Sequence, residues 1–540
     1  MADKKRRAKK RTGGGRSTRS QRLSDALISQ ASPSFNAWHM SEPRLIFAGG
    51  QAYEDPKTGL TLYGPAALDN GPRTTIRLGI IGTGETIQLL KNWVRRAECR
   101  IIPGLNARRK PYDPILAPDF PGFGDDSAFQ CRVQIYERLC STLTSEIESC
   151  LSEPDFTSRT RRMVTLVSER LCVLADKDPQ PDVVVCAMPK NVEDACGPAA
   201  RDNRIKKAFV PKAVKAERRR RERDAKSGQL SFSIFDDPTP TPASESYLFR
   251  DFHNALKAHA MKAKLPTQLL WESTLRGGRD MEDPATTAWN FFTALYYKAG
   301  NMPWELQFSV PRTCFVGITF YRESPDPNSP TRTCLAQAFS ESGEGLVLRG
   351  ERVTWDKERD KKPHLNAKDA ESILRKVIDL YKTHFNGPPH RVVVHKTSRY
   401  WPEELQGFKA ALGDIHSYDF LALERRGIRF LRLGTHPPVR GTVIELGRRN
   451  YLVYTRGYIP FLRMYPGMRI PNPLEVVEHF GDSSAEKVCT EILALTKLNW
   501  NTCAFASADP VTIAFSKQVA TIIKELPEGV ELLTKYRYYM

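Results

Sequence analysis

No stretch of the sequence approaches the ~20 consecutive apolar residues that a membrane-spanning helix needs, so a membrane-embedded function is not expected. A secretory leader is not expected either: the basic run Lys4–Arg11 is followed by Gly and Ser, where a leader would have an apolar segment. There is no Cys-x-x-Cys pair, and the 11 cysteines are odd in number and scattered. Neither a disulfide framework nor a zinc site is indicated, and a cytoplasmic setting is the expectation. Internal repeats are absent. What remains is ordinary for a soluble globular chain, with 40% hydrophobic and 26% charged residues. Its 540 residues allow two or three domains with separate cores.

Charge of one sign is in excess, and its location matters more than its size. The net charge is +19, of which residues 1–20 contribute +8 and residues 212–226 (KAVKAERRRRERDAK) contribute +5. Both segments read as flexible, so the basicity is concentrated in tail and loop, with +6 left for everything else. Such segments add salt-sensitive affinity for phosphate backbones, and they also serve as plain solvated tails.

Along the chain, residues 1–41 read as a disordered basic tail. Ordered structure is expected from Arg44–Ala48. Thr75–Arg96 reads as a strand, a Gly turn and an amphipathic helix, residues 131–151 have helical spacing, and Asp182–Ala187 (DVVVCA) reads as a buried parallel strand. A basic loop insertion is placed at about 203–246, where Asp236–Ser246 is rich in Pro and Ser. Helical patterns resume at Arg250–Lys264 and Thr286–Ala299. From Pro311 the order changes: strands at Cys314–Phe320 and Thr333–Phe339, a helix at Asp369–Phe385, a strand at Arg391–His395, a hairpin around Gly447–Asn450, a helix near Ala485–Leu498, and a last strand at Val511–Ala514 before a closing helix. Paired strands followed by helix–strand alternation describe an RNase H-like sheet.

The segment Gly79-Ile-Ile-Gly82-Thr-Gly84 follows a strand and opens a helix, as a dinucleotide fingerprint does. Its glycine order is reversed relative to that motif, no acidic residue closes a second strand at the right distance, and no Gly-Lys-Ser/Thr follows. A plain tight turn is the better reading. The informative region is Phe252–Trp304. His253 and Lys257 are four apart on a helix and share a face, Gln268 follows in Pro266-Thr-Gln268, and Asn290 precedes Lys298 by two turns. Two cations with amide donors converging on one point make a charge-assisted phosphate site. Taken alone, a solvated His–Lys pair is the plainer reading.

The combination His-x-x-x-Lys, Pro-Thr-Gln, and Asn-x7-Lys-x-Gly-x-x-Pro-Trp resembles the MID-domain guide-anchoring signature of Argonautes. Glu42-Pro-Arg-Leu-Ile-Phe, Leu62-Tyr-Gly-Pro-Ala, and Leu495-Thr-Lys-Leu-Asn-Trp-Asn501 before Pro510-Val-Thr-Ile513 resemble short prokaryotic Argonautes, so the resemblance covers about 42–540. It implies an α/β protein: a Rossmann-like MID domain at 42–305, then an RNase H-like PIWI domain at 306–540. It implies that His253, Lys257, Gln268 and Lys298 bind the 5′-phosphate of a guide, with Asn290 matching the family in sequence. It further implies that the chain end folds into this pocket, where Gln268 and the Met540 carboxylate would hold Mg²⁺ against the guide's phosphates.

Slicing Argonautes hold two metal ions with carboxylates. The corresponding positions here carry Thr319 after Val316-Gly-Ile and Thr397 after His395-Lys, and Phe515-Ser516-Lys517 offers no acid at the last. Losing two or more carboxylates removes the metal site, so no cleavage is expected. His395 reads as structural, and Glu344 or Glu351 as a relic of the family's mobile glutamate. The resemblance implies a guide RNA, a single-stranded DNA target from plasmids or phages, and an APAZ-domain partner carrying a TIR-type or sirtuin-like NADase or a nuclease. A guide-directed endonuclease and an unguided basic nucleic-acid binder stay open as alternatives.

Overall fold

The computed structural model describes residues 35–540 except 201–250 and shorter stretches, the longest being 105–112, 323–330 and 431–436. The basic tail through residue 34, the basic insertion, Glu344 and Glu351 lie outside the described residues. The first described element, β1 (Asn36–His39), corrects the expected tail boundary at 41. It pairs antiparallel with Thr442–Glu445, so this short segment is an edge strand of the second domain's sheet. After β2 (Leu45–Ile46) and β3 (Ala52–Tyr53), α1 (Pro56–Tyr63) starts at Asp55, whose carboxylate accepts from the Thr58 N–H, with Pro56 in the first turn.

The first domain then runs β4 (Thr75–Gly82), α2 (Gly84–Ala97), β5 (Arg132–Gln134), β6 (Cys140–Thr142), α3 (Ser145–Leu151), α4 (Phe156–Ala175), β7 (Val183–Met188), α5 (Lys190–Cys196), α6 (Phe252–Ala260), β8 (Thr267–Trp271), α7 (Glu272–Arg276), α8 (Pro284–Lys298) and β9 (Glu305–Leu306). Strands β4 to β8 form one sheet whose pairs are all parallel. All six residues of β7 are buried, as a strand covered on both faces requires. One face packs Ile87, Leu90 and Val94 of α2 with α8, and the other packs Met163, Val167 and Leu171 of α4 with Leu256 of α6. Gly82 at the end of β4 is there for packing: a Cβ on it would sit 2.5 Å from the Ala187 carbonyl oxygen. Thr83 and Thr86 close a capping box on α2. The helical spacing at 131–151 is corrected to two short strands and a helix confined to Ser145–Leu151. Strand β4 recruits both segments as parallel neighbours, and that pairing overrides the local period.

The second domain runs β10 (Thr313–Arg322), β11 (Thr331–Phe339), β12 (Gly345–Arg349), β13 (Arg352–Val353), α9 (Ala367–His384), β14 (Arg391–Lys396), α10 (Pro402–Leu412), β15 (Ser417–Glu424), β16 (Thr442–Gly447), β17 (Asn450–Val453), β18 (Leu474–Gly481), α11 (Ala485–Leu495) and α12 (Val511–Ile523). Its sheet has the order β1-β16-β17-β18-β15-β14-β10-β11-β12, with β13 beside β11. Only β10–β14 and β14–β15 are parallel; the other pairs are antiparallel. The expected strand at Val511–Ala514 is instead the first turn of α12, entered from Pro510 in an extended conformation. Its β-branched residues are buried against β10, and Gly317 makes the contact possible: a Cβ there would lie 2.0 Å from the Thr512 carbonyl oxygen.

The two domains share one continuous core. Trp500 stacks on Tyr297 at 4.4 Å, and the Trp304 indole N–H donates to the Lys497 carbonyl at 3.1 Å. Buried Arg440 and Lys497 both pair with Glu42, at 3.0 and 2.9 Å. The residues around Glu42 and Leu495–Asn501 are therefore the stitching between domains. No helix of the described residues is long and apolar enough to cross a membrane.

Candidate nucleic-acid interface

Helix α6 begins at Asp251, whose carboxylate accepts from the Asn254 N–H, and this fixes the rotation that turns His253 and Lys257 toward β8. Lys257 is 2% exposed and its Nζ donates to the Thr267 carbonyl at 2.5 Å. Next along β8, the Gln268 Oε1 accepts from the Nζ of Lys298, the last residue of α8, which is 1% exposed. Lys257 and Lys298 are close enough that each alters the protonation of the other. The four residues expected to form a phosphate site, His253, Lys257, Gln268 and Lys298, are therefore brought together. They are not the solvated pair that the bare spacing also allows.

Among the described residues, no ion pair joins Lys257 or Lys298 to a carboxylate. Desolvation lowers Lys257 to about 8, and desolvation together with the neighbouring Lys257 takes Lys298 well below the ordinary lysine range. His253 is pushed down to about 4, first by burial and then by Lys257. A pocket of about 350 Å³ opens over this cluster, lined by Asp251, His253, Asn254, Leu269 and Trp271 among others. Lys257 and Lys298 are not among its lining residues. The arrangement suits a dianion: it would restore both ammonium charges and supply the missing acceptors.

Asn290 does not join this cluster. Its Oδ1 accepts from the Cys503 N–H at 2.9 Å and its Nδ2 donates to Glu282 at 3.2 Å, so it bonds α8 to the second domain. Eight residues at ~100° each leave it well rotated from Lys298 around the helix. Met540 is 2% exposed, and the preceding Tyr539 carbonyl accepts from Gln518 Nε2 at 3.3 Å, so the chain end is docked against α12.

In the second domain, Thr319 is buried near the end of β10, and its hydroxyl has no hydrogen-bond partner among the described residues. Thr397 directly follows β14. Each comes just after the last paired position of two adjacent parallel strands, Ile318 beside Lys396. Ser516 donates to the Thr512 carbonyl at 2.5 Å, within α12. His395 is fully buried and its Nδ1 meets the Thr512 hydroxyl at 2.8 Å, an interior contact. The buried acids nearby are committed elsewhere, Glu404 to Lys396 and Asp419 to Arg391.

A charge count along the second domain exposes a basic region that motif spacing does not reveal. Residues 425–470 contain ten Arg, no Lys, no Asp and one Glu, which is +9; beyond this segment, residues 1–20 and residues 212–226, the chain is −3. Basicity therefore resides in the folded domain too. Arg425 pairs with Asp509 and Arg440 with Glu42. Arg429, Arg456, Arg463 and Arg469 are exposed and have no carboxylate partner among the described residues. They lie in the loops between the end of β15 and the start of β18, at the same end of the sheet as Thr319 and Thr397.

No family model matches the chain. The chain is 23% identical over 295 residues to the protein argonaute of Aquifex aeolicus (strain VF5), a match covering 54% of this chain and 38% of that protein. Among solved structures, it superposes on Clostridium butyricum Argonaute bound to a guide DNA and a 19-mer target DNA. That match has a TM-score of 0.56 and 13% identity, and covers 92% of this chain and 54% of the other. It also matches A. aeolicus Argonaute with externally bound siRNA, with a TM-score of 0.52 and 15% identity over 93% of this chain and 56% of that one. The chain has the Argonaute fold along nearly its whole length. It spans about half the length of the Argonautes it matches.

Proposed function

We propose that the chain is a short Argonaute-type protein that anchors a 5′-phosphorylated guide and captures a complementary strand without cutting it. The observation that carries this reading is the pair of enclosed neighbouring lysines, Lys257 and Lys298, held by the Thr267 carbonyl and Gln268 with no acid paired to either among the described residues. A guide's 5′-phosphate supplies the absent charge, with His253 and Gln268 as further contacts. The parallel sheet of the first domain supports a Rossmann-like MID domain. The β10–β11–β12 meander followed by α9–β14–α10–β15 supports an RNase H-like PIWI domain. Base pairing would supply sequence specificity, and the exposed arginines of 425–470 would hold phosphate backbone.

The guide in this reading is RNA and the target single-stranded DNA of plasmids or phages, although the C. butyricum relative holds a guide DNA. Oxygens of Gln268 and Met540 would hold Mg²⁺ against the guide's phosphates. Because Lys298 engages the Gln268 oxygen, that cation would enter only with a phosphate that draws the lysine away. A chain that binds without cutting needs an effector, and an APAZ-domain partner with an NADase or nuclease fits that need.

The test is target capture by the guide-loaded full chain, with complementary and scrambled targets, in Mg²⁺ or Mn²⁺. Retention of complementary target, intact, is the expected outcome. A guide-directed cut at a fixed position would establish the endonuclease reading, and capture indifferent to the guide would establish an unguided binder.

A further inference from the structure

A second pocket, of about 110 Å³, opens where three separately built pieces meet: the end of α8 with Gly300–Met302, the start of β12 beside the end of α9, and Lys535–Arg537. That volume leaves room for a small polyatomic ion such as a tetrahedral oxyanion. The pocket shares no lining residue with the one over His253. Its geometry is fixed by backbone. Leu346 bridges to Lys535 and the Val347 N–H donates to the Thr534 carbonyl at 2.7 Å, which attaches the last segment to β12 by an isolated antiparallel bridge. A single helical turn at Tyr536–Tyr538 follows, with Tyr536 stacked on Phe515 at 3.9 Å.

Among the described residues the lining is cationic and contains no Asp or Glu. It includes Arg537, Lys535 and His384. The Arg537 Nε is buried without a hydrogen-bond partner among the described residues, and the guanidinium lies over the Tyr538 ring at 5.4 Å. Among the described residues neither Arg537 nor Lys535 pairs with a carboxylate. Gly300 has φ +105°, and a Cβ there would come 3.1 Å from Arg537 Nη1, so the bare glycine leaves the guanidinium its seat. A guanidinium held beside Gly300 and Tyr538, lining a pocket with no acid among its described lining residues, has the donors and the charge that an oxyanion needs.

We propose that this pocket binds a phosphate-type oxyanion on Arg537 and Lys535, with His384 at its rim, as a second anion site separate from the His253–Lys257 cluster. The planar fork of Arg537 suits two oxygens of one such group, and Lys535 adds a point charge. Because the lining comes from α8, β12 and the last segment, a bound anion would tie the two domains together and brace the docked Tyr539 and Met540.

The experiment is calorimetric titration of inorganic phosphate into the full chain at fixed ionic strength, with chloride as the control. Wild type is expected to show two classes of site. Arg537→Gln and Lys535→Gln should each weaken one class by about tenfold, on the order of one charge-assisted contact, and leave the other unchanged. Lys535 is exposed, so its variant keeps the test open should Arg537→Gln fail to fold. Lys257→Ala should affect only the other class, and if no class responds to it the guide-anchoring reading fails while this one stands. A 5′-hydroxyl oligonucleotide that competes for the Arg537-dependent class assigns its anion to nucleic-acid backbone. Lack of competition assigns it to free or monoester phosphate. Titrations of Arg537→Gln and Lys535→Gln identical to wild type would overturn the proposal.

Discussion

Lys396 in the second domain and Lys298 in the first are equally sealed from solvent, yet their surroundings are opposite. Lys396 Nζ donates to both oxygens of Glu404, at 2.7 and 2.6 Å, and nearby Arg391 forks onto Asp419 and Glu491. Burial pushes the Asp419 carboxyl up, but hydrogen bonds from His479, Ser483 and Arg391 outweigh it and bring it to about 2. Those cations are complete within the fold. Lys298 has an amide oxygen as its partner and a second lysine as its neighbour. Burying charge without a counter-charge is costly, and folded proteins accept it chiefly where a ligand completes the site. The contrast separates a structural ion pair from a binding site more sharply than residue identity does.

The comparison breaks most visibly by removing one acid. Glu404→Gln should cost about 3–5 kcal/mol, because it leaves Lys396 buried and unpaired. Lys298→Met should be neutral or stabilising in the guide-free chain, since it removes a like-charge contact. Denaturant unfolding of both variants checks this, and equal destabilisation would dissolve the distinction. A smaller effect is expected in the arginine segment. Changing Arg429, Arg456 and Arg463 together to Gln should weaken target capture and reduce the salt slope by about 0.7–0.9 for each phosphate no longer neutralised. The preference for a phosphorylated guide should not move.

Smallest is the pH effect, whose sign follows from lowered lysines. Lys257 sits at about 8 in the folded chain against an ordinary 10.5, so between these values the unfolded chain holds more protons. The stability of the guide-free chain should therefore rise across that window. Guide binding needs both ammonium groups, takes up protons there, and should weaken as pH rises. Unfolding midpoints at two pH values spanning the window, with and without phosphorylated guide, test both signs together. A flat profile without guide would mean that the enclosed lysines are not under electrostatic stress.

Much of the fold was legible where the periodicity was clean. The strand expected at Cys314–Phe320 and the helix at Asp369–Phe385 differ from Thr313–Arg322 and Ala367–His384 by only a few residues at their ends. Legibility failed where partners decide the structure. Val511-Thr-Ile513 has strand composition but becomes helix because Gly317 opens a seat for it on β10. Residues 36–39 had no local reason to be ordered until β16, some 400 positions later, offered an edge. The site divides the same way. The spacing of His253 and Lys257 with Gln268 and Lys298 marked them as one candidate group, and their clustering and enclosure are tertiary facts. Asn290 shares their sequence pattern and yet points to Cys503.

The central claim is that Lys257 and Lys298 await a terminal phosphate, and one ratio tests it. The affinities of 5′-phosphorylated and 5′-hydroxyl guides of one sequence are measured for wild type, Lys257→Met and Lys298→Met at matched salt. Wild type should prefer the phosphate, and each variant should lose roughly tenfold to a hundredfold of that preference, as charge-assisted contacts worth about 1.5–3 kcal/mol imply. Folded variants that keep the wild-type ratio would contradict the account.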